Sequence, residues 1–259
     1  MQGKIIIAVA MALLLSACGE NATMKEKTSE TAKQFVARIQ AEGALLEEES
    51  SAAQWVRNTY ITPDTAILAR KAGERSLAFQ SSMVKQAKQF RDADMDTETA
   101  RAIELILRGS SAPAPNDAAL RTELSAILIN MEGQYGAGQY CNAAGVCREL
   151  QELESVLAHS RDYDELLDVW QGWRQVSPPY RKEYQRFVEI GNQGAKDFGY
   201  TNLADLWQGG YDMESEVFVE ESRRLWGEVK PFYDELHCYV RGRLSETYGA
   251  EKVPNEGPI

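Results

Sequence analysis

Leu225, Val229, Phe232, Leu236, Val240 and Leu244 recur every three or four residues over roughly 214 to 247. A period near 3.6 places all six on one face of an α-helix, whereas a strand would scatter them over both faces of a sheet. Pro231 lies inside the stripe and is expected to bend the helix, because proline removes one backbone donor.

The same period runs upstream. Phe35, Ile39, Leu45, Leu46, Trp55 and Val56 mark a helix from about 28 to 60, with the acidic LLEEESS on its other face. Thr62 and Pro63 read as the cap and first position of a second helix to about Phe90, carrying Ile67, Leu68, Leu77, Phe79, Met83 and Val84. RDADMD is a polar turn before a third helix, TETARAIELILR. GSSAPAPND is a loop, and Asn116 or Asp117 starts a fourth helix ending near NMEGQYGAG. RDYDELLDVWQGWRQV and PPYRKEYQRFVEIGNQGAKDFG continue the pattern, with Ser177 as a cap, Pro178 opening the second and Gly199 ending it. Few stretches alternate with period two, and no fixed repeat appears. The fold class is mainly α, with little or no sheet.

The chain has 259 residues, 44% hydrophobic and 26% charged, an ordinary globular balance. Its formal net charge is −11, and no Lys/Arg block suggests a nucleic-acid face. The N-terminus differs from the rest. MQGK is followed by the uncharged IIIAVAMALLLSA, too short for a comfortable membrane span and laid out like a signal peptide. LSAC resembles a bacterial lipobox, with Cys18 as the lipidated first residue of the mature protein; the plain alternative is an ordinary signal peptide with a chance Cys. The organisation expected is a signal peptide over 1–17, a polar tether over 18–30 and a helical body over 31–259. Such a chain is exported and lipid-anchored to a bacterial membrane, on the periplasmic side.

Cys141 and Cys147 frame CNAAGVC, with Gly145 for the turn. In an oxidising compartment a disulfide is plausible, and zinc would want closer Cys pairs with further Cys or His nearby. Cys238, in a helical pattern, reads as a small buried apolar residue. His159 and His237 stand alone. There is no HExxH, no GxSxG and no phosphate-binding glycine loop, so the residues by themselves offer no catalytic centre and no metal site.

GYTNLADLWQGGYDM, 199 to 213, is richer in glycine and aromatics than a surface helix requires. With SRDYDELLDVWQGWR (160–174) and KPFYDELHCYVRGRLSETYG...GPI (230–259), it resembles the angiotensin-converting-enzyme family of zinc peptidyl-dipeptidases, which release dipeptides from the C-termini of oligopeptides. The family pattern runs W-x-G-W-R, then G-[YF] with W-x3-Y, then LH-x-[YF]-V-R and GPI, and this chain has each in order. CNAAGVC matches the family's short disulfide loop. The likeness covers roughly 30–259 and is strongest from 141 onward.

The resemblance implies long helices forming the lid and one half of a cleft. It implies zinc as cofactor, with HExxH and the downstream Glu ligand lying in a portion after GPI that this sequence does not contain. The chain is thus expected to be the N-terminal part of such an enzyme and inactive alone. Arg174 matches an Arg that helps bind chloride in animal members, and Tyr211 matches the Tyr of a second chloride position, making chloride a candidate second ion. VRGRL departs from the family's VRRAL at Gly242. Read without the resemblance, Trp170, Trp173, Trp207 and Tyr211 are core packing and Arg174 an ion-pair partner. The competing function is a non-catalytic helical lipoprotein that binds peptides or a partner chain.

Overall fold

The computed structural model describes residues 30–257, of which Ala32 onward form one compact unit. Cys18, the lipobox and the tether lie outside the described residues. Among the described residues no helix is long and apolar enough to cross a membrane.

Two helices form an antiparallel pair: α1, Ala32–Thr59, and α2, Pro63–Ala87. Their turn is built as the sequence indicates. The Thr62 hydroxyl accepts the Thr65 N–H at 3.2 Å and the Thr65 hydroxyl accepts the Thr62 N–H at 3.1 Å, a reciprocal cap with Pro63 at the first position. A 3-10 turn, Lys88–Phe90, finishes α2, and α3, Thr97–Arg108, starts on the Asp96 cap. Phe35 and Phe90 rings meet at 5.1 Å, and Ala32, Val36, Ile39, Ala87 and Ile103 close one core around them.

The second core lies among α2, α4 (Ala118–Gly136), α7 (Arg181–Phe198) and α8 (Leu203–Gln208). Leu77, Val84, Leu124, Phe187, Ile190 and Leu206 fill it. The APAP loop threads through this core: Pro113 and Pro115 are fully buried, and the Ala114 N–H donates to Gln80 Oε1 at 2.7 Å. It crosses α7 over Gly194, where a Cβ would overlap the Pro113 carbonyl. Glycine is needed there for close approach, not for dihedral freedom.

Some expectations change. CNAAGVC forms a small antiparallel hairpin, β1 (Gln139–Cys141) with β2 (Cys147–Glu149), closed by a Cys141–Cys147 disulfide. The helix α5, Leu150–His159, follows directly, then α6, Tyr163–Trp173. Ser177 does not cap: its backbone is already helical and its Oγ only accepts from the Tyr180 hydroxyl, because Pro178 opens a 3-10 turn before α7. Leu45, Trp55, Val56, Ile67 and Leu68 are exposed rather than core, since nothing in this unit lies over that face of the α1–α2 pair.

The largest difference is α9, Ser215–Tyr248, about 50 Å long and continuous through Pro231. It has no buried residue. Leu225, Trp226, Val229, Phe232, Tyr233 and Leu236 are all exposed, Phe232 by 70%. Cys238 is exposed as well, because the face expected to bury it has no neighbour in this unit. α9 is held at its ends. Ser215 bonds to α8, while Tyr248 packs on Tyr163 and Lys252 bonds Asp164 at 2.9 Å. The chain then doubles back, and Arg241 donates to the carbonyls of Pro254 and Gly257, tying the VR of α9 to the GP that follows.

Candidate functional site

The GYTNLADLWQGGYDM segment assembles a polar junction between α3, α8 and the start of α9. Gly199 (φ 111°) ends α7 in the left-handed conformation, its N–H and that of Tyr200 both donating to Ala195 O. Asn202 caps α8 by accepting the Asp205 N–H at 3.0 Å. Leu203 and Leu206 anchor α8 in the core, and Trp207 donates from Nε1 to Ser111 O at 2.8 Å. A 3-10 turn, Gly209–Tyr211, then leads to Asp212, the one non-glycine residue with positive φ (58°) among the described residues. Aspartate tolerates that region better than most side chains.

That bend aims the Asp212 carboxylate at α3. Its two oxygens accept from Arg108 and Arg101, each at 2.8 Å, and the same two arginines bond Glu104 at 3.1 and 2.9 Å. Asp205 accepts from the Ser215 hydroxyl at 2.7 Å and from the Thr201 N–H at 2.9 Å. Arg101, Glu104, Arg108, Asp205, Asp212 and Ser215 line a cleft of about 460 Å³ with Tyr200, Gly209 and Met213. Hydrogen bonds from Arg108 and then Arg101 hold the Asp212 carboxyl below the usual carboxylate range; those from Ser215 and Thr201 do the same for Asp205. Both pKa values are lower folded than unfolded, so their stabilisation is present above about pH 4 and lost as pH falls through the folded values. Asp212→Asn keeps the left-handed bend and removes the charge. It is expected to lower Tm at pH 7, with the gap to the parent closing as pH drops below about 4. Thermal unfolding across a pH series checks this, and a gap independent of pH would count against the ionic account.

The WQGWR segment has a different job. Gly172 faces the ring of Tyr140, which a Cβ would strike, so the disulfide hairpin lies flat on α6. The Tyr140 hydroxyl donates to Asp168 at 2.5 Å, and that bond raises its phenol pKa. Trp173 packs edge-on against Tyr135 at 5.4 Å. Trp170 is half-exposed and carries the Arg174 guanidinium over its ring at 3.5 Å, while Arg174 also donates to Trp170 O. Among the described residues Arg174 makes no ion pair.

Tyr211 is 62% exposed and stacks on Phe218 at 4.3 Å. Among the described residues no hydrogen bond or ring contact joins Tyr211 to Arg174, and the resemblance assigns them to two separate chloride positions. His159 holds Ser155 O through Nδ1 at 2.8 Å, and His237 lies against Tyr233. Among the described residues no three His, Cys, Asp or Glu side chains are placed to hold a metal.

Sequence reasoning missed Arg57. It is 6% exposed, donates from Nη1 to Thr62 O at 3.1 Å and leaves Nε without a partner. It lies over Gly133, where a Cβ would meet the guanidinium. The cation sits at the C-terminal turns of both α1 and α4, where the partial negative charge of a helix end favours a guanidinium. It reads as a clamp on two helix ends. It also missed Asp212, Arg101 and Arg108, although Arg101 and Arg108, seven apart in one helix, share a face.

With this geometry in hand, similarity to known proteins is specific. The family model for angiotensin-converting enzyme matches residues 26–259. The chain is 32% identical to the angiotensin-converting enzyme of Bos taurus over 217 residues, 82% of this chain and 16% of that protein. It is 32% identical to that of Sus scrofa over 234 residues, 88% of this chain and 17% of that one. It is 30% identical to the angiotensin-converting enzyme-like protein Ace3 of Mus musculus over 249 residues, 95% of this chain and 33% of that protein. The chain thus spans about a sixth to a third of the length of these curated relatives.

Proposed function

The chain belongs to the angiotensin-converting-enzyme family, and from that premise we propose that it supplies the helical lid and one wall of a peptidyl-dipeptidase cleft. The zinc ligands come from polypeptide outside residues 30–257. The observation that carries this reading is α9, a 34-residue helix with a long apolar stripe and no buried residue. Apolar side chains left in water at that density mark a surface that another body covers. A self-sufficient lipoprotein that merely binds peptides has no need of so long an uncovered helix, and for that reason it is the weaker reading.

The described residues do not fit zinc. His159 and His237 are each engaged by their own helix, and no carboxylate or thiol joins either in a ligand set. The contribution proposed for this chain is shape. The α1–α2 pair restricts entry to short flexible peptides, and α9 backs the zinc-bearing portion. Arg174 and Tyr211 belong to the proposal as chloride ligands of the assembled fold. Arg174 has guanidinium donors beyond the one it gives to Trp170 O, and the Tyr211 hydroxyl has no partner among the described residues.

The test is enzymatic. The purified chain, supplied with zinc and an oligopeptide, is expected to release no C-terminal dipeptide. Co-expression with an HExxH-bearing segment of a family member is expected to give zinc-dependent release that rises with chloride. Zinc-dependent release by the chain alone would overturn the assignment; a rate indifferent to chloride would remove only the roles of Arg174 and Tyr211.

A further inference from the structure

A second cleft, away from the α3–α8–α9 junction, opens between the C-terminal part of α2, the start of α4 and the end of α7. Its volume is about 610 Å³, within the range of small-molecule sites. Three cations line it, Lys85, Lys88 and Arg121, against one carboxylate, Asp197.

Several arginines and lysines of the chain pair with carboxylates, such as Arg186 with Glu123 and Glu189, Arg224 with Glu221 and Glu228, and Lys230 with Asp234. In this cleft none does. Lys88 donates to the backbone carbonyl of Asp197 at 2.6 Å, and Arg121 donates from Nη1 to the carbonyls of Pro115 and Asn116, both at 2.7 Å. Lys85 has no hydrogen-bond or ion-pair partner among the described residues. The Asp197 carboxylate is taken by the Asn116 N–H at 2.7 Å and by Gln193 at 3.0 Å. Among the described residues no ion pair joins that carboxylate to Lys85 or Lys88.

Donors therefore remain. Lys85 has three, Lys88 two, and Arg121 keeps Nε and Nη2. Buried Ser81 on the same wall has only a long 3.4 Å contact to Asn116 Oδ1, so its hydroxyl is available too. Three cations opposed by one carboxylate match a dianion better than a monocarboxylate. Ammonium, guanidinium and hydroxyl donors together suit tetrahedral oxygens. We propose that this α2–α4–α7 cleft binds a small phosphate-class oxyanion between Lys85, Lys88 and Arg121. The site is separate from the proposed peptidase role and stands or falls without it.

Isothermal titration of the full chain with inorganic phosphate, at fixed ionic strength near pH 7.5, tests it. The expected result is saturable one-to-one binding, weakened at least tenfold in Lys85→Gln. Lys85 has no structural partner, so that variant is expected to fold as the parent does, with an unchanged Tm in phosphate-free buffer. Succinate, a dianion of different shape, is expected to bind at least tenfold more weakly than phosphate. Absence of saturable heat, or equal binding by parent and Lys85→Gln, would overturn the proposal. Equal affinity for succinate would overturn its phosphate specificity.

Discussion

Gly194→Ala is expected to lower the stability of the chain by about 3 kcal/mol, the upper part of the usual cost of overpacking. Two effects compete at this position. Alanine in the interior of α7 gains up to about 1 kcal/mol of helix propensity over glycine. Against that, the new Cβ would overlap the carbonyl oxygen and carbon of Pro113, which are backbone atoms in a loop that cannot easily retreat. Pro113 and Pro115 are fully buried, and Ala114 is bonded to Gln80. The clash therefore wins, and Tm should fall by roughly 6–12 °C. Gly227→Ala is the matched control. Gly227 lies inside α9 with nothing within 4 Å of its would-be Cβ, so propensity acts alone and stability should hold or rise. Thermal unfolding of both variants decides the matter. If Gly194→Ala unfolds at the parent temperature, the loop is not held against α7 as described.

The second large effect concerns surface rather than core. The chain alone is expected to bind a hydrophobic dye strongly and to self-associate. Replacing Leu225, Val229, Phe232 and Leu236 together by glutamine should cut dye binding several-fold and leave Tm within a few degrees. The reason is that these side chains are already half-exposed or more, so little transfer energy is lost, and glutamine is a good helix former. A core truncation sets the contrast: Leu124→Ala removes a fully buried side chain and should cost about 2–5 kcal/mol. Once a zinc-bearing portion covers α9, the same four glutamines should become costly, since burying each apolar side chain stabilises by about 1.5–3 kcal/mol. If the quadruple variant of the chain alone loses as much Tm as Leu124→Ala, the α9 face is covered in solution and its exposure here is not its working state.

Sequence by itself determined most of the helices, because their signals are local, but not Leu150–His159. The Thr62–Pro63 start, the Asn116 or Asp117 start and the Gly199 stop each depend on a residue and its neighbours within one turn. The family was legible as well, from W-x-G-W-R, W-x3-Y and LH-x-[YF]-V-R in order. Periodicity names the apolar face of a helix, but it cannot say whether anything lies against that face. The stripes of α1, α2 and α9 read alike, yet Phe35 and Val84 are buried while Trp55, Leu68 and Phe232 are exposed.

That distinction belongs to the tertiary structure, as do contacts between residues far apart in the chain. Asp212 meets Arg101 and Arg108 across more than a hundred residues, and Arg57 lies over Gly133 from another helix. Lys85, Lys88 and Arg121 converge only because α2 and α4 cross beside the end of α7. Local sequence sets which backbone conformation is cheapest; which side chains lose water, and which charges meet, follows from how the helices are packed.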